Sequence, residues 1–244
     1  MSVDMFERRF RTELKKLPPF IPNDTRDARI WRADFPAWRA LFSAMCLFGH
    51  STGYRLPSFE DFFRYCKSAY TKQHPDKERF SQYFQDDFLA GMTQRISAWY
   101  ESGMAETYLY ACLVEAIEDK AKAGLVLYDP RADWKLKSDV VVILNKIPLR
   151  ISAFVGDQID RPRIEAKRDE IERDRKKNTS ESAHWDNAAL AAMPVFEIAR
   201  TNAETQVVNG VRLFTLPAIN RLLESLYQKA EIEGWYFPVP EKAQ

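Results

Sequence analysis

The stretch SDVVVILNKIPLRISAFVGD, Ser138–Asp157, decides the fold. Val140 to Leu144 is an unbroken β-branched and aliphatic run, which suits a pleated strand better than a helix. Asn145-Lys146 is turn-prone, Leu149 to Val155 is a second apolar run, and Gly156-Asp157 ends it. The pattern predicts a hairpin of two strands. Neither run alternates cleanly with polar residues, so the sheet is expected to be covered on both faces.

Outward from this hairpin, Leu125–Tyr128 is a short apolar run between Gly124 and Asp129-Pro130 and reads as a preceding strand. On the other side lies a strongly charged segment, Arg161 to Lys177. Its Asp169–Arg173 and Glu172–Lys176 spacings fit i,i+4 pairs on a helix. A polar loop from Asn178 to Asp186 follows, with a short helical turn over Asn187 to Ala192. Val195–Ala199 is a fourth strand, and Asn209-Gly210 a turn before a fifth, Val211 to Thr215. A last helix runs from about Pro217 to Ala230, with Ile219, Leu222, Leu223 and Leu226 on one face.

Residues 1–123 read as mainly helical. Val3, Phe6, Phe10, Leu14 and Leu17 form a stripe opposite Arg8, Arg9, Arg11 and Lys15, and the prolines from Pro18 to Pro22 end that helix. A second helix is expected from Asp34 to about Phe48, with a loop from Gly49 to Pro57. A third opens at Ser58, whose partner Asp61 three residues on makes a capping box. His74-Pro75-Asp76 breaks it. Further helices carry Phe80 to Met92, extending toward Tyr100, and Ala105 to Ala123, the last closed by Gly124. The fold class is therefore mixed α+β in one compact domain: a helical N-terminal half, then a sheet-containing core over 124–230.

Composition narrows the function classes. The net charge is +1, so attraction to nucleic acid would need a local patch rather than bulk charge. No apolar run is long enough to span a bilayer, and Met1 to Lys16 lacks the apolar centre of a signal peptide. The three cysteines, Cys46, Cys66 and Cys112, are odd in number and widely spaced, as expected of buried thiols in a reducing cytoplasm. Cys46 and His50 have a spacing that could share a metal, but no second pair accompanies them. His184 sits in a polar loop with no nucleophile beside it, and no glycine-rich phosphate loop or serine elbow occurs among only 8 glycines.

The order helix, strand, strand, strand, helix, strand over Ala105–Ala199 resembles the core of PD-(D/E)XK nucleases. The TaqI-like restriction endonucleases are similar too in placing a helical region before the sheet, where LPSFEDFF at Leu56–Phe63 looks like one of their segments. The resemblance implies a restriction-endonuclease-like αβββαβ core, with Asp139 in the place of the family's metal-binding aspartate. It puts Ser152 and Phe154 where the family has an acidic or amide residue and a lysine. Serine is a weak, neutral ligand and phenylalanine carries no charge, so neither replaces the family chemistry. Two carboxylates and Mg²⁺ could activate water against a phosphodiester: Asp139, Asp157 and Asp160 could contribute, with Glu118 on the preceding helix or Glu165 on the following one replacing the missing ligand. The alternative for Asp157 and Asp160 is capping of the charged helix. Arg150, Arg161, Arg163, Lys167 and Arg168 are the candidate phosphate contacts.

The functional expectation is a non-cleaving protein that binds DNA or a nucleoprotein complex, needs no cofactor, and suits host defence or mobile-element biology by analogy of fold. The alternatives are a Mg²⁺-dependent endonuclease with relocated ligands and a protein-interaction module using the aromatic helical half.

Overall fold

The computed structural model describes residues 6–22, 41–53, 55–73, 76–129, 132–133, 138–155 and 192–239. Helix α1 spans Glu7–Lys16, with Phe10 and Leu14 buried and Arg8, Arg9 and Lys15 exposed, as its sequence stripe requires. Helix α2 (Leu41–Ser51) carries Cys46 and His50 and runs beyond Phe48, where the Ser51 and Thr52 hydroxyls donate back to the Phe48 carbonyl. Residues 23–40, which include the expected start of that helix, lie outside the described residues.

Helix α3 (Phe59–Ser68) begins at the anticipated cap: Ser58 Oγ accepts from the Asp61 amide at 3.1 Å and donates to Asp61 Oδ2 at 2.7 Å. It continues as a π turn, Ala69–Gln73. Helix α4 (Lys77–Ser81) and a 3₁₀ turn, Gln82–Phe84, lead into α5, Asp86–Leu113, which widens into a π-helix over Val114–Lys120.

Two of the expected helices are thus one. Gly103 inside a helix costs about 1 kcal/mol relative to alanine. Complete burial of the neighbouring Met104, Ala105, Tyr108 and Leu109 outweighs that cost. Nor does Gly124 close the helix. Lys122 takes the left-handed conformation (φ 50°), and Gly124 opens the first strand, where a Cβ would collide with the Ile143 carbonyl.

The sheet has the order β1-β2-β3-β4, formed by Gly124–Leu127, Val140–Leu144, Ile147–Val155 and Val195–Arg200. β1 pairs antiparallel with β2, and β2 with β3. β4 lies parallel to β3, with Arg150 opposite Val195 and Ser152 opposite Glu197. Asn145 (φ 46°) and Lys146 (φ 65°) make the tight β2–β3 turn with two left-handed residues, the arrangement that matches strand twist.

Val140, Val142, Leu144, Leu149 and Ile151 are fully buried on one face, while Val141, Arg150 and Ser152 are buried on the other. Cover on both faces therefore holds for β2 and the middle of β3. It fails for β1, whose Leu125 and Leu127 are exposed. A separate two-stranded sheet joins β5 (Thr205–Val208) to β6 (Val211–Phe214) through the predicted Asn209-Gly210 turn. Helix α6, Leu216–Ala230, starts from a Thr215 cap and packs its Ile219, Leu222, Leu223 and Leu226 face inward, against β4 and β2.

The chain divides into two compact units. The first contains Arg11–Ala105 and Val207–Val211 and is built on aromatic rings. Phe20 lies 5.0 Å from Tyr100 and 5.6 Å from Phe59, and the Tyr100 hydroxyl donates to the Pro57 carbonyl. In the same unit the Asn209 amide donates to the carbonyls of Leu14 (2.8 Å) and Leu17 (2.9 Å), closing the end of α1. The second contains Val3–Phe10, Glu106–Gln206 and Arg212–Gln244, hence the four-stranded sheet. There Phe10 packs on Tyr108, and Asn220 holds Phe237 by both backbone groups at 2.9 Å.

Candidate functional site

Hydrogen bonds link the described residues that precede β2. Asp129 Oδ1 accepts from the Ala132 amide, the Asp133 amide donates to the Asp129 carbonyl, and the Tyr128 hydroxyl donates to Asp133 Oδ2 at 3.0 Å. The Ser138 amide then donates to the Ala132 carbonyl at 3.0 Å. This fixes where Asp139 emerges. Its own amide donates to the Ile151 carbonyl at 2.8 Å, and its carboxylate Oδ2 accepts from the Ala153 amide at 2.5 Å. Asp139 thus extends the β2–β3 ladder past the end of β2 with its side chain. A charged acceptor on a backbone N–H is among the stronger hydrogen bonds of a fold.

Arg150 is enclosed beside it, 1% exposed in mid-β3. Its guanidinium reaches Ser138 Oγ with Nη1 (3.5 Å) and the Met193 carbonyl with Nη2 (3.2 Å), while its backbone amide donates to the Pro194 carbonyl. Side chain and main chain together hold the stretch that leads into β4. Arg150 therefore occupies the interior of the sheet rather than a face presented to a phosphate backbone. Ser152 is also buried, two residues on along the same face, and stands opposite the exposed Glu197 of β4. Glu197 was not among the sequence candidates. Its only signal was an acid inside an otherwise apolar strand.

Glu118 is placed elsewhere. It lies in the π-helical end of α5, and its Oε1 accepts from the Val126 amide at 2.6 Å. Tyr110, on the same long helix, donates to the Val126 carbonyl at 3.3 Å. Both backbone groups of Val126 are thereby satisfied by side chains on strand β1, an edge of the sheet. The neighbouring Glu115 accepts from the Glu7 amide at 2.8 Å at the start of α1, and burial pushes its carboxyl above the usual range.

The structure therefore joins Asp139, Ser138, Arg150 and Ser152 around the start of β2 and the middle of β3. Glu118 serves β1 instead. Asp157, Asp160, Arg161, Arg163, Glu165, Lys167, Arg168 and His184 lie outside the described residues. Among the described residues no three His, Cys, Asp or Glu side chains come together as metal ligands would. The donors that can be placed do not fit Mg²⁺: the Asp139 carboxylate holds the Ala153 amide, Ser152 is a neutral hydroxyl, and Glu118 holds Val126.

No described helix is long and apolar enough to cross a membrane. Comparison of the chain with family models, curated proteins and solved structures gave no match.

Proposed function

We propose that this protein binds nucleic acid, alone or in a nucleoprotein complex, on a restriction-endonuclease-like scaffold, and that it does so without cutting. The observation that carries the reading is the strand connectivity. A long helix feeds a β1–β2–β3 meander, and a fourth strand returns parallel to the third after the charged segment. Asp139 stands at the start of β2, where the resemblance puts the family's acidic residue.

The chemistry around it favours binding over hydrolysis. Asp139 and Glu118 each hold a backbone amide, Ser152 is neutral and buried, and β3 offers Phe154 rather than a lysine. With Arg150 enclosed, the phosphate contacts fall to Arg161, Arg163, Lys167 and Arg168 on the charged segment, which follows β3 directly.

The test is a titration of the protein with duplex and single-stranded DNA at two salt concentrations. Binding should weaken steeply with salt, because each neutralised phosphate releases condensed counterion. The double variant Lys167→Ala/Arg168→Ala should bind more weakly by a similar factor on all sequences and flatten the salt slope by about two. Absence of binding at low ionic strength would overturn the proposal. Plasmid cleavage with Mg²⁺ or Mn²⁺ that disappears in Asp139→Ala would replace it with an active nuclease.

A further inference from the structure

We infer that strand β1 is a pairing edge for a second copy of this chain, and that Glu118 and Tyr110 form an autoinhibitory latch holding that edge closed. The inference is independent of the nucleic-acid reading. All of its residues belong to the second compact unit.

Among the described residues β1 ends the sheet, with β2 on one side only. Successive residues of an antiparallel strand turn their backbone groups to opposite sides. At Val126 both groups face away from β2. Glu118 Oε1 accepts from its amide at 2.6 Å, and the Tyr110 hydroxyl donates to its carbonyl at 3.3 Å. A strand adding at this edge must displace both side chains. Glu118 reaches the edge from the π-helical stretch Val114–Lys120, and such widened turns are rare and recur at functional sites.

The side chains beside this point are apolar and uncovered. Leu125 is 54% exposed and Leu127 36%, and alternation puts both on one face of the sheet, with the buried Val126 on the other. Exposed edges are ordinarily blunted by charged residues or proline, and Gly124–Leu127 contains neither. Protection of β1 rests on Glu118 and Tyr110 instead.

β1 is also its own complement. Turned about a two-fold axis through Val126, it meets a second β1 antiparallel, with the two Val126 residues opposite each other as a hydrogen-bonded pair. Leu125 then faces the other copy's Leu127 in a non-hydrogen-bonded position, where side chains lie closest. Each exposed leucine is thereby covered, and the symmetry closes at two copies. An unrelated strand would have to supply the same apolar pattern in the same register, so a second copy is the occupant that fits. The latch opposes this exchange, because pairing breaks the charge-assisted Glu118 bond. The closed monomer is the resting form.

The experiment is sedimentation velocity of the full chain over a concentration series, with thermal melts to establish folding. Wild type and Glu118→Gln, which keeps an acceptor for the Val126 amide, should sediment as monomers. Tyr110→Phe/Glu118→Ala removes both contacts, and its mass should double. Adding Leu125→Glu/Leu127→Glu to that variant sets like charges opposite one another and should restore the monomer. Should the opened variant lose its fold, Tyr110→Phe by itself leaves the Glu118 bond in place and should still dimerise, only more weakly. A folded opened variant that stays monomeric at every concentration would overturn the inference, as would a monomeric Tyr110→Phe where that variant has to stand in. A dimer that survives the two glutamates uses another surface and refutes it equally. A wild type already dimeric through these leucines would rule out the latch.

Discussion

Asn209 offers the sharpest test of how the first unit holds together. It sits at the tip of the β5–β6 hairpin in the left-handed region (φ 51°), half-buried, beside Gly210 (φ 82°), whose missing Cβ leaves room for the Phe20 carbonyl. Its side chain donates to the Leu14 and Leu17 carbonyls and its own carbonyl accepts from the Phe20 amide. Asn209→Ala removes both side-chain bonds, about 1 kcal/mol each. It also places a Cβ residue without a local polar partner in left-handed space, about 1 kcal/mol more. The total is about 2–3 kcal/mol.

Asn209→Gly separates the two contributions, because it loses the same bonds and keeps the conformation without strain. Urea unfolding followed by circular dichroism should show the midpoint falling for both variants at unchanged slope, with Ala lower than Gly. Amide exchange at Phe20 should quicken in both. If Asn209→Ala lies within about 0.5 kcal/mol of wild type, the range of an ordinary surface substitution, the capping argument is wrong.

Asn220→Ala should release the segment around Phe237, costing about 2 kcal/mol for the two backbone bonds, and limited proteolysis should cut there first. Glu118→Gln keeps an acceptor for the Val126 amide and should be nearly silent. Glu118→Ala leaves that amide without it and should cost about 1–3 kcal/mol in chemical denaturation. The raised Glu115 carboxyl stabilises the fold below its unfolded pKa, and that contribution is lost as pH rises through the folded value. Melts of Glu115→Gln against wild type should therefore coincide in acid, with the variant gaining toward neutral pH. A difference that stays constant with pH would remove the argument.

The parts of the fold legible in the sequence were those whose cause is local. Val140–Leu144 is strand to the residue, because nothing in the run suits any other structure. Ser58 caps α3 through a partner three residues away, and Asn209-Gly210 makes the turn that its backbone preferences demand. What was missed depends on distant partners. The two helices expected on either side of residues 101–104 are one, held together by the buried Met104, Ala105, Tyr108 and Leu109. β5 holds only the apolar pair Val207-Val208, too short a pattern to detect.

The site divides in the same way. Asp139 could be placed at the start of β2 from sequence, but its bond to Ala153 follows from the strand register. Arg150 looks like a surface cation because its partner, the Met193 carbonyl, is 43 residues away. Glu118 looks like a ligand until the π turn aims it at β1.

The parallel seating of β4 on β3 governs the order in which the sheet can form. β2 and β3 meet through a two-residue turn, whereas β4 can add only after the whole stretch 156–194 has been closed into a loop. Closure entropy rises by about 0.6 kcal/mol with each doubling of loop length, so the meander should nucleate first and β4 dock late. Until it does, the β4-facing side of β3 is an unpaired strand edge running from Arg150 to Val155, open to any other chain in the cell. The arginine that later anchors Met193 and Pro194 then serves a second purpose. It places a charge at the start of that edge, a residue type that discourages wrong strand pairing during the interval before the right strand arrives.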